Sequence, residues 1–251
     1  MDFLIKVVAC FLAGAGAGIG TGFAGMSAAA VVGPILMTFL DVPAYEAVGI
    51  GLISDVLASA VSAYTYNKSG NLDIKNSLPL LFSVLFFTVI GSYVASFLPE
   101  RTMGSTMQIC LLFLGLRFLF KPVNKTKEQF AQVSQKERLV KSIVGGTLIG
   151  FICGFVGAGG GMMMLFSPMR MAVGTSVFIM SFTALTGGFS HFAISGLPDL
   201  TITLLSVVFT LFWARVASYI ANRSDSKTLN RAVGVTLILT SAVILIVNAI
   251  K

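Results

Sequence analysis

Charge is scarce in this sequence. Only 11% of the 251 residues are Asp, Glu, Lys or Arg, against about 25% in a typical soluble domain, which argues against a charged-surfaced soluble fold. Paired cysteines are missing too. Cys10, Cys110 and Cys153 each stand alone in an apolar run, so they read as small hydrophobes rather than as a disulfide framework or metal ligands. There is a single histidine, with no HExxH, no catalytic triad and no glycine-rich loop closed by GK[ST]; enzyme activity, a metal site and a cofactor are therefore not expected. The eleven methionines lack the regular spacing and the His or Cys company of a copper path, and read as flexible packing.

What is abundant is apolar length. The chain is 56% hydrophobic, and its apolar segments run roughly over 3–24, 26–40, 43–67, 74–98, 103–120, 139–157, 159–167, 169–195, 200–222 and 228–250. Most exceed the ~18 residues that mark a transmembrane candidate. Segment 159–167 does not: its helix would rise about 14 Å against a hydrocarbon core of about 30 Å. Only three apolar residues separate Lys6 from Cys10, too few for a signal-peptide core, so the first run is expected to be a retained membrane helix. The net charge of +7 sits in the links, mainly in 121–141, and not in one stripe. This is the positive-inside bias of a membrane protein, and no nucleic-acid partner is expected.

The two halves resemble each other. At an offset of 132, Gly14, Gly18, Gly22, Phe23 and Gly25 fall on Gly146, Gly150, Gly154, Phe155 and Gly157. At 125, Ala47-Val48-Gly49 falls on Ala172-Val173-Gly174, and at 126 Gly70 and Asp73 meet Gly196 and Asp199. Basic residues then set the orientation. In the first half Lys68 and Lys75 follow the third segment; in the second, the link at 196–200 has no Lys or Arg and the next holds Arg223, Lys227 and Arg231. That reversal implies opposite orientations, with both termini outside, although Lys6 and Lys251 count against it. A parallel arrangement in which only the short segment fails to cross is the alternative.

Five of the eight residues in GFVGAGGG (154–161) are glycine. Irregular backbone at membrane depth is tolerated only where protein buries it or it lines a wet cavity. The run therefore reads as a break facing the interior, where freed N–H groups and the start of a short helix favour an anion. The competing reading is close helix packing. It is preferred for the series Gly14, Gly18, Gly22 and Gly146, Gly150, Gly154, whereas Gly157, Gly159, Gly160 and Gly161 are too densely clustered for packing alone. The first half carries GFAGMSAAAVVGP (22–34), with Ser27, Ala28 and Ala29 in place of the three glycines. Gly25 and Ser27 would give that half a comparable but unequal surface.

The doubled pattern of a G-x-GGG run, an apolar stretch and A-V-G-T-S before a long helix resembles the sulfite exporter family, TauE/SafE. The second half carries GAGGGMMMLF (157–166) and AVGTS (172–176); the first half departs from it with SAA for GGG and AVGIG (47–51) for AVGTS, and Phe166 stands where the family usually has proline. The resemblance covers nearly the whole chain. It implies a polytopic secondary transporter that exports sulfite, sulfonates or related small organic anions, and it brings Thr175 and Ser176 forward as oxyanion donors. Without it, both hydroxyls would more simply bond back to their own helical turn.

Two ionisable residues stand inside apolar segments, where function is the default hypothesis. Asp55 could bind a coupling proton, or a sodium ion with Ser54 and Ser59; its structural alternative is a polar tether between helices. His191 reads equally as a helix-end residue near the interface and as a gate or proton sensor. Arg170, near a segment start, reads either as an attractor of anions or as a snorkelling residue, Arg117 and Arg215 sit close enough to segment ends to snorkel, and Asp41 and Glu46 read as interface residues.

The expectation is an all-α polytopic membrane protein of two inverted-topology repeats, each with a broken or re-entrant helix pair plus about three full transmembrane helices. The first repeat spans 1–120, a cytoplasmic basic linker 121–138 and the second repeat 139–251. The setting is a bacterial inner membrane, with a small anion such as sulfite or a sulfonate and lipid as partners and a homodimer as candidate assembly. A passive anion channel of the same architecture is the rival function.

Overall fold

A computed structural model describes residues 3–99, 135–157 and 169–224, together with the isolated positions 102, 109, 116, 231, 235, 238 and 242. Among these residues the regular structure is entirely helical: α1 (Phe3–Ala24), α2 (Ala29–Leu40), α3 (Ala44–Lys68), α4 (Ile74–Ala95), α5 (Gln135–Val156), α6 (Met169–Ser195) and α7 (Leu200–Ala221). Within them lie five stretches long and apolar enough to cross a membrane, in α1, α3, α4, α6 and α7. Helices are what an apolar solvent demands, because each closes its own backbone hydrogen bonds. Large side chains such as Phe11, Phe82, Phe86, Phe189 and Phe212 project outward from them, as lipid-facing residues do. The chain is a multi-pass membrane protein.

The close packing is glycine-led, and it crosses between the halves. α1 packs most extensively on α7, and α4 on α5. A Cβ added at Gly14, Gly18 or Gly22 would lie 2.5 Å from Phe209 Cβ, 2.6 Å from the Ala214 nitrogen and 2.6 Å from Ala217 Cβ, respectively. On the other pair, Gly146 meets Ser83, Gly150 meets Val84, and Gly154 meets Thr88 and Ser92. Ser83, Val84, Thr88 and Ser92 stand 126 residues before Phe209, Thr210, Ala214 and Ser218. Both glycine ladders therefore press on corresponding positions of the opposite half, and the packing reading of these six glycines agrees with the geometry.

Named contacts also fix the helix directions. Lys6 pairs with Asp199 near the starts of α1 and α7, and Gly22 meets Ala217 near their ends, so the two run parallel. Glu46 accepts from Asp199 N and Asn71 donates to Asn222, which aligns α3 with α7. Gly49 lies against His191 and Phe192 while Gly174 lies against Tyr66, so α3 and α6 are antiparallel. Tyr45 Oη donates to Ser92 O, which sets α4 against α3, and the second ladder makes α5 parallel to α4. Thus α1, α3 and α7 point one way, and α4, α5 and α6 the other.

α1 and α3 share a direction because α2 returns between them. α2 is 12 residues long, about 18 Å, too short to span the core. Ten of its residues are buried, and Ala29 at its start lies against Gly51, eight residues into α3. It is an interior half-helix that begins deep and ends at Asp41, whose φ of 50° forms a left-handed cap. Asp41 is one of the few residue types for which that conformation is affordable. The segments expected at 103–120, 159–167 and 228–250, and the basic linker, lie outside the described residues.

Candidate functional site

The first break is made by the four residues between α1 and α2, Gly25 to Ala28. Gly25 has φ +58° and its N–H closes on Thr21 O at 2.9 Å, ending α1. Met26, Ser27 and Ala28 turn the chain before α2 begins, and all are buried. Gly157 ends α5 in the same manner, with φ +74° and its N–H on Cys153 O at 2.8 Å. Glycine is needed at both positions, since a Cβ at Gly25 would meet Ser176 Cβ at 2.9 Å and one at Gly157 would meet Ala29 Cβ at 2.5 Å. The Gly157 contact brings the end of α5 against the start of α2, so the two breaks adjoin. Gly159, Gly160 and Gly161 lie outside the described residues.

Ser176 and Thr175 hold the first break and a nearby link. Ser176 Oγ donates to Gly25 O at 2.7 Å. Thr175 Oγ1 accepts from Asp73 N at 3.3 Å, which leaves its own proton available. Of the two expected oxyanion donors, then, Ser176 spends its hydroxyl proton on the protein.

Asp55 lies at the first break and is fully buried. Its Oδ1 accepts from Ser59 Oγ at 2.7 Å and from Thr21 Oγ1 at 3.3 Å, and Thr21 Oγ1 also reaches Met26 O at 2.9 Å. The Ala28 backbone and the Ser27 hydroxyl face the same carboxylate. This matters for α2, because Ala28, its N-cap residue, provides no side-chain cap, and a carboxylate at a helix N-terminus meets the positive end of the dipole. Yet Asp55 Oδ2 and Ser27 Oγ have no partner in hydrogen-bond geometry among the described residues. Ser54, expected to join this group, donates instead to Ile50 O in its own helix. Thr21 takes its place, a residue that reads in sequence only as one polar position within the first glycine ladder.

His191 is wholly buried within the protein. Nδ1 lies 3.1 Å from Tyr45 O, Nε2 lies 3.0 Å from Gly154 O, and the ring stacks on Tyr45 at 4.1 Å. It ties α3 to the last turn of α5, just ahead of the glycine run. A neutral imidazole donates through one nitrogen only, so both contacts are hydrogen bonds only in the doubly protonated ring.

At the membrane edge, Asp199 caps α7 by accepting from Thr201 N and Ile202 N and pairs with Lys6 at 2.6 Å. The Lys6 contact is the chief cause holding its carboxyl below the usual range. Lys6, the basic residue that fitted the charge bias poorly, is thus matched by an acid on its own side.

The geometry and the motifs meet in the comparison with known proteins. The family model described as sulfite exporter TauE/SafE matches residues 10–244. The chain belongs to the sulfite exporter TauE/SafE family. Among curated relatives of this TauE/SafE protein is the "Probable membrane transporter protein YunE" of Bacillus subtilis (strain 168), 26% identical over 95% of this chain and 96% of the relative. A second from the same organism, "Probable membrane transporter protein YdhB", is 25% identical over 87% and 92%. "Probable membrane transporter protein ORF9" of Sinorhizobium sp is 22% identical over 54% and 51%. No solved structure matches this TauE/SafE chain.

Proposed function

We propose that this TauE/SafE protein is a secondary transporter, working as an exporter, of sulfite, sulfonates or related small organic anions. The observation that carries the reading is the pair of helix-ending glycines. Gly25 and Gly157 both adopt positive φ, both are buried, and each packs on a long helix of the opposite half, Gly25 on α6 through Val173 and Gly157 on α3 through Val48. Such adjoining breaks supply what an anion needs inside a membrane: backbone donors and room for close approach.

In this reading the halves are inverted repeats, with domains 1–120 and 139–251 joined by the linker 121–138. The directions of α1, α3 and α4 against α5, α6 and α7 support it, because every helix in one set opposes its counterpart in the other. The substrate sits where the breaks adjoin, on Gly157, Gly159, Gly160 and Gly161 with Thr175, and the first break contributes Gly25 and Ser27. The two bundles move against each other to expose it alternately, and Asp55 carries the coupling cation, a proton or Na⁺. His191 gates the end of α5, and the working assembly is a homodimer.

Proteoliposome flux tests the function. A transporter gives saturable uptake and counterflow of sulfite, whereas a channel relaxes toward the Nernst potential without counterflow. Thermal unfolding with sulfite, sulfoacetate, isethionate and simple carboxylates ranks the anions. Bulky substitution of Gly160 or Gly161 should abolish binding and leave membrane insertion intact; unchanged affinity would move the site elsewhere.

A further inference from the structure

The carboxylate of Asp55 poses an electrostatic problem that the anion site does not solve. An ionised carboxylate in a membrane interior is costly unless it is paired, and no Lys or Arg among the described residues forms an ion pair with it. Its surroundings are oxygen: Thr21, Ser27 and Ser59 hydroxyls and the Met26 carbonyl. Two fully or almost fully buried atoms of this group, Asp55 Oδ2 and Ser27 Oγ, lack a hydrogen-bond partner. A buried polar atom without a partner is rare and calls for an explanation.

From this we infer that the first break is a Na⁺ site, formed by Asp55, Thr21, Ser27 and Ser59 with the Met26 carbonyl. One carboxylate among neutral oxygens balances a single positive charge. A divalent hard cation is ordinarily held by more oxygens and more carboxylates, and zinc by nitrogen or sulfur. A metal ion is shared among oxygens that need not bond one another, as Asp55 Oδ2 and Ser27 Oγ do not. The helix ends fit as well: α1 presents its carbonyl end to the break, which favours a cation, while α2 presents its amide end, which favours the carboxylate.

The second half carries none of these side-chain oxygens at the corresponding positions. At the repeat offsets, Thr21, Ser27, Asp55 and Ser59 correspond to Cys153, Gly159, Met180 and Ala184. Cys153, Met180 and Ala184 are buried and apolar. The role of the Na⁺ site in coupling rests on the transporter reading; its existence does not.

The test uses the purified full chain without any sulfur anion. Thermal unfolding is followed at constant chloride while NaCl replaces choline chloride or KCl, alongside equilibrium binding of ²²Na⁺. Na⁺ should raise the unfolding midpoint where K⁺ and choline do not, and ²²Na⁺ should bind saturably. Asp55→Asn should abolish both effects. Ser27→Ala should raise the half-saturating Na⁺ concentration by about tenfold, the loss of one contact to a charged group, and Ser54→Ala should leave it unchanged. If Asp55→Asn does not fold, Ser27→Ala and Ser59→Ala carry the comparison. No Na⁺-specific stabilisation of the wild type, stabilisation by pH alone, or full affinity in Ser27→Ala and Ser59→Ala would overturn the site. Anion counterflow that survives such a result would leave the transporter reading standing.

Discussion

Two glycines one turn-half apart on α1 should respond in opposite senses to the same added methyl group. Alanine is a better helix former than glycine by about 1 kcal/mol, and at Gly20 nothing opposes that gain: the nearest atoms to an added Cβ belong to Met26, at 3.9 Å. At Gly18 the Cβ would stand 2.6 Å from the Ala214 nitrogen and 2.6 Å from Trp213 Cβ. Ordinary contact begins near 3.4 Å, so α1 and α7 must part by about 0.8 Å, and the Gly14 and Gly22 contacts on the same ladder loosen with them. Overpacking of this kind costs about 1–3 kcal/mol. Gly18→Ala should therefore destabilise the protein by up to about 2 kcal/mol net, whereas Gly20→Ala should be neutral or stabilising by up to about 1 kcal/mol. Trp213 is the chain's single tryptophan and touches the altered position, so intrinsic fluorescence during thermal unfolding in detergent reads the interface directly. A Gly18→Ala protein as stable as Gly20→Ala would refute the reasoning, since it would mean that the α1–α7 contact is looser than described.

Other perturbations follow from the same geometry. Gly150→Ala should destabilise by a similar amount, up to about 2 kcal/mol, because its Cβ would meet the Val84 backbone; thermal unfolding measures whether the two ladders are equivalent. His191→Ala should cost about 2–4 kcal/mol by leaving a cavity and removing the ring's contacts with Tyr45 O and Gly154 O, and His191→Gln should recover part of it in the same assay. The Asp199 carboxyl is held below its ordinary value of 3.8, first by Lys6. Its contribution to stability is therefore complete above that pH and is lost as pH falls through the lowered value. In Lys6→Met this acid-sensitive component should shrink, as read from unfolding midpoints between neutral pH and pH 3.

Apolar length was the most legible property. Segment 169–195 coincides with α6, and 200–222 with α7 to within one residue, because in a membrane hydropathy and span are the same constraint. The start of α2 was less so. The apolar run begins at 26, but Gly25 turns left-handed and Met26 to Ala28 make the turn, so the helix opens at Ala29. The glycine ladders were legible as small faces, yet a period says which face is small and not what fills it. Nothing local indicates that Gly18 meets Ala214 in the other half. Non-local contacts hid the rest of the site as well. His191 lies one turn from the end of α6, where position alone suggests exposure, and it is buried because α5 brings Gly154 over it. Ser54 stands beside Asp55 in sequence but turns back to Ile50, while Thr21, 34 residues away, reaches the carboxylate.

The difference between the two breaks has a physical consequence. Equivalent breaks in a dimer-like core would both present amide groups, and both would attract the same anion. Here one break has a carboxylate built against it from α3, and the corresponding position in α6 is Met180, which brings no charge. An internal anion at the first break satisfies the amide end of α2 and turns what remains of that surface toward a cation. The glycine-rich second break has no acidic residue at the corresponding position, which in the proposed reading leaves it to an external anion. In the proposed reading the loss of symmetry is therefore functional. In that reading the duplicated scaffold supplies two openings, and a single acid, Asp55, makes their charge preferences opposite, so that an anion and a cation can occupy adjoining sites.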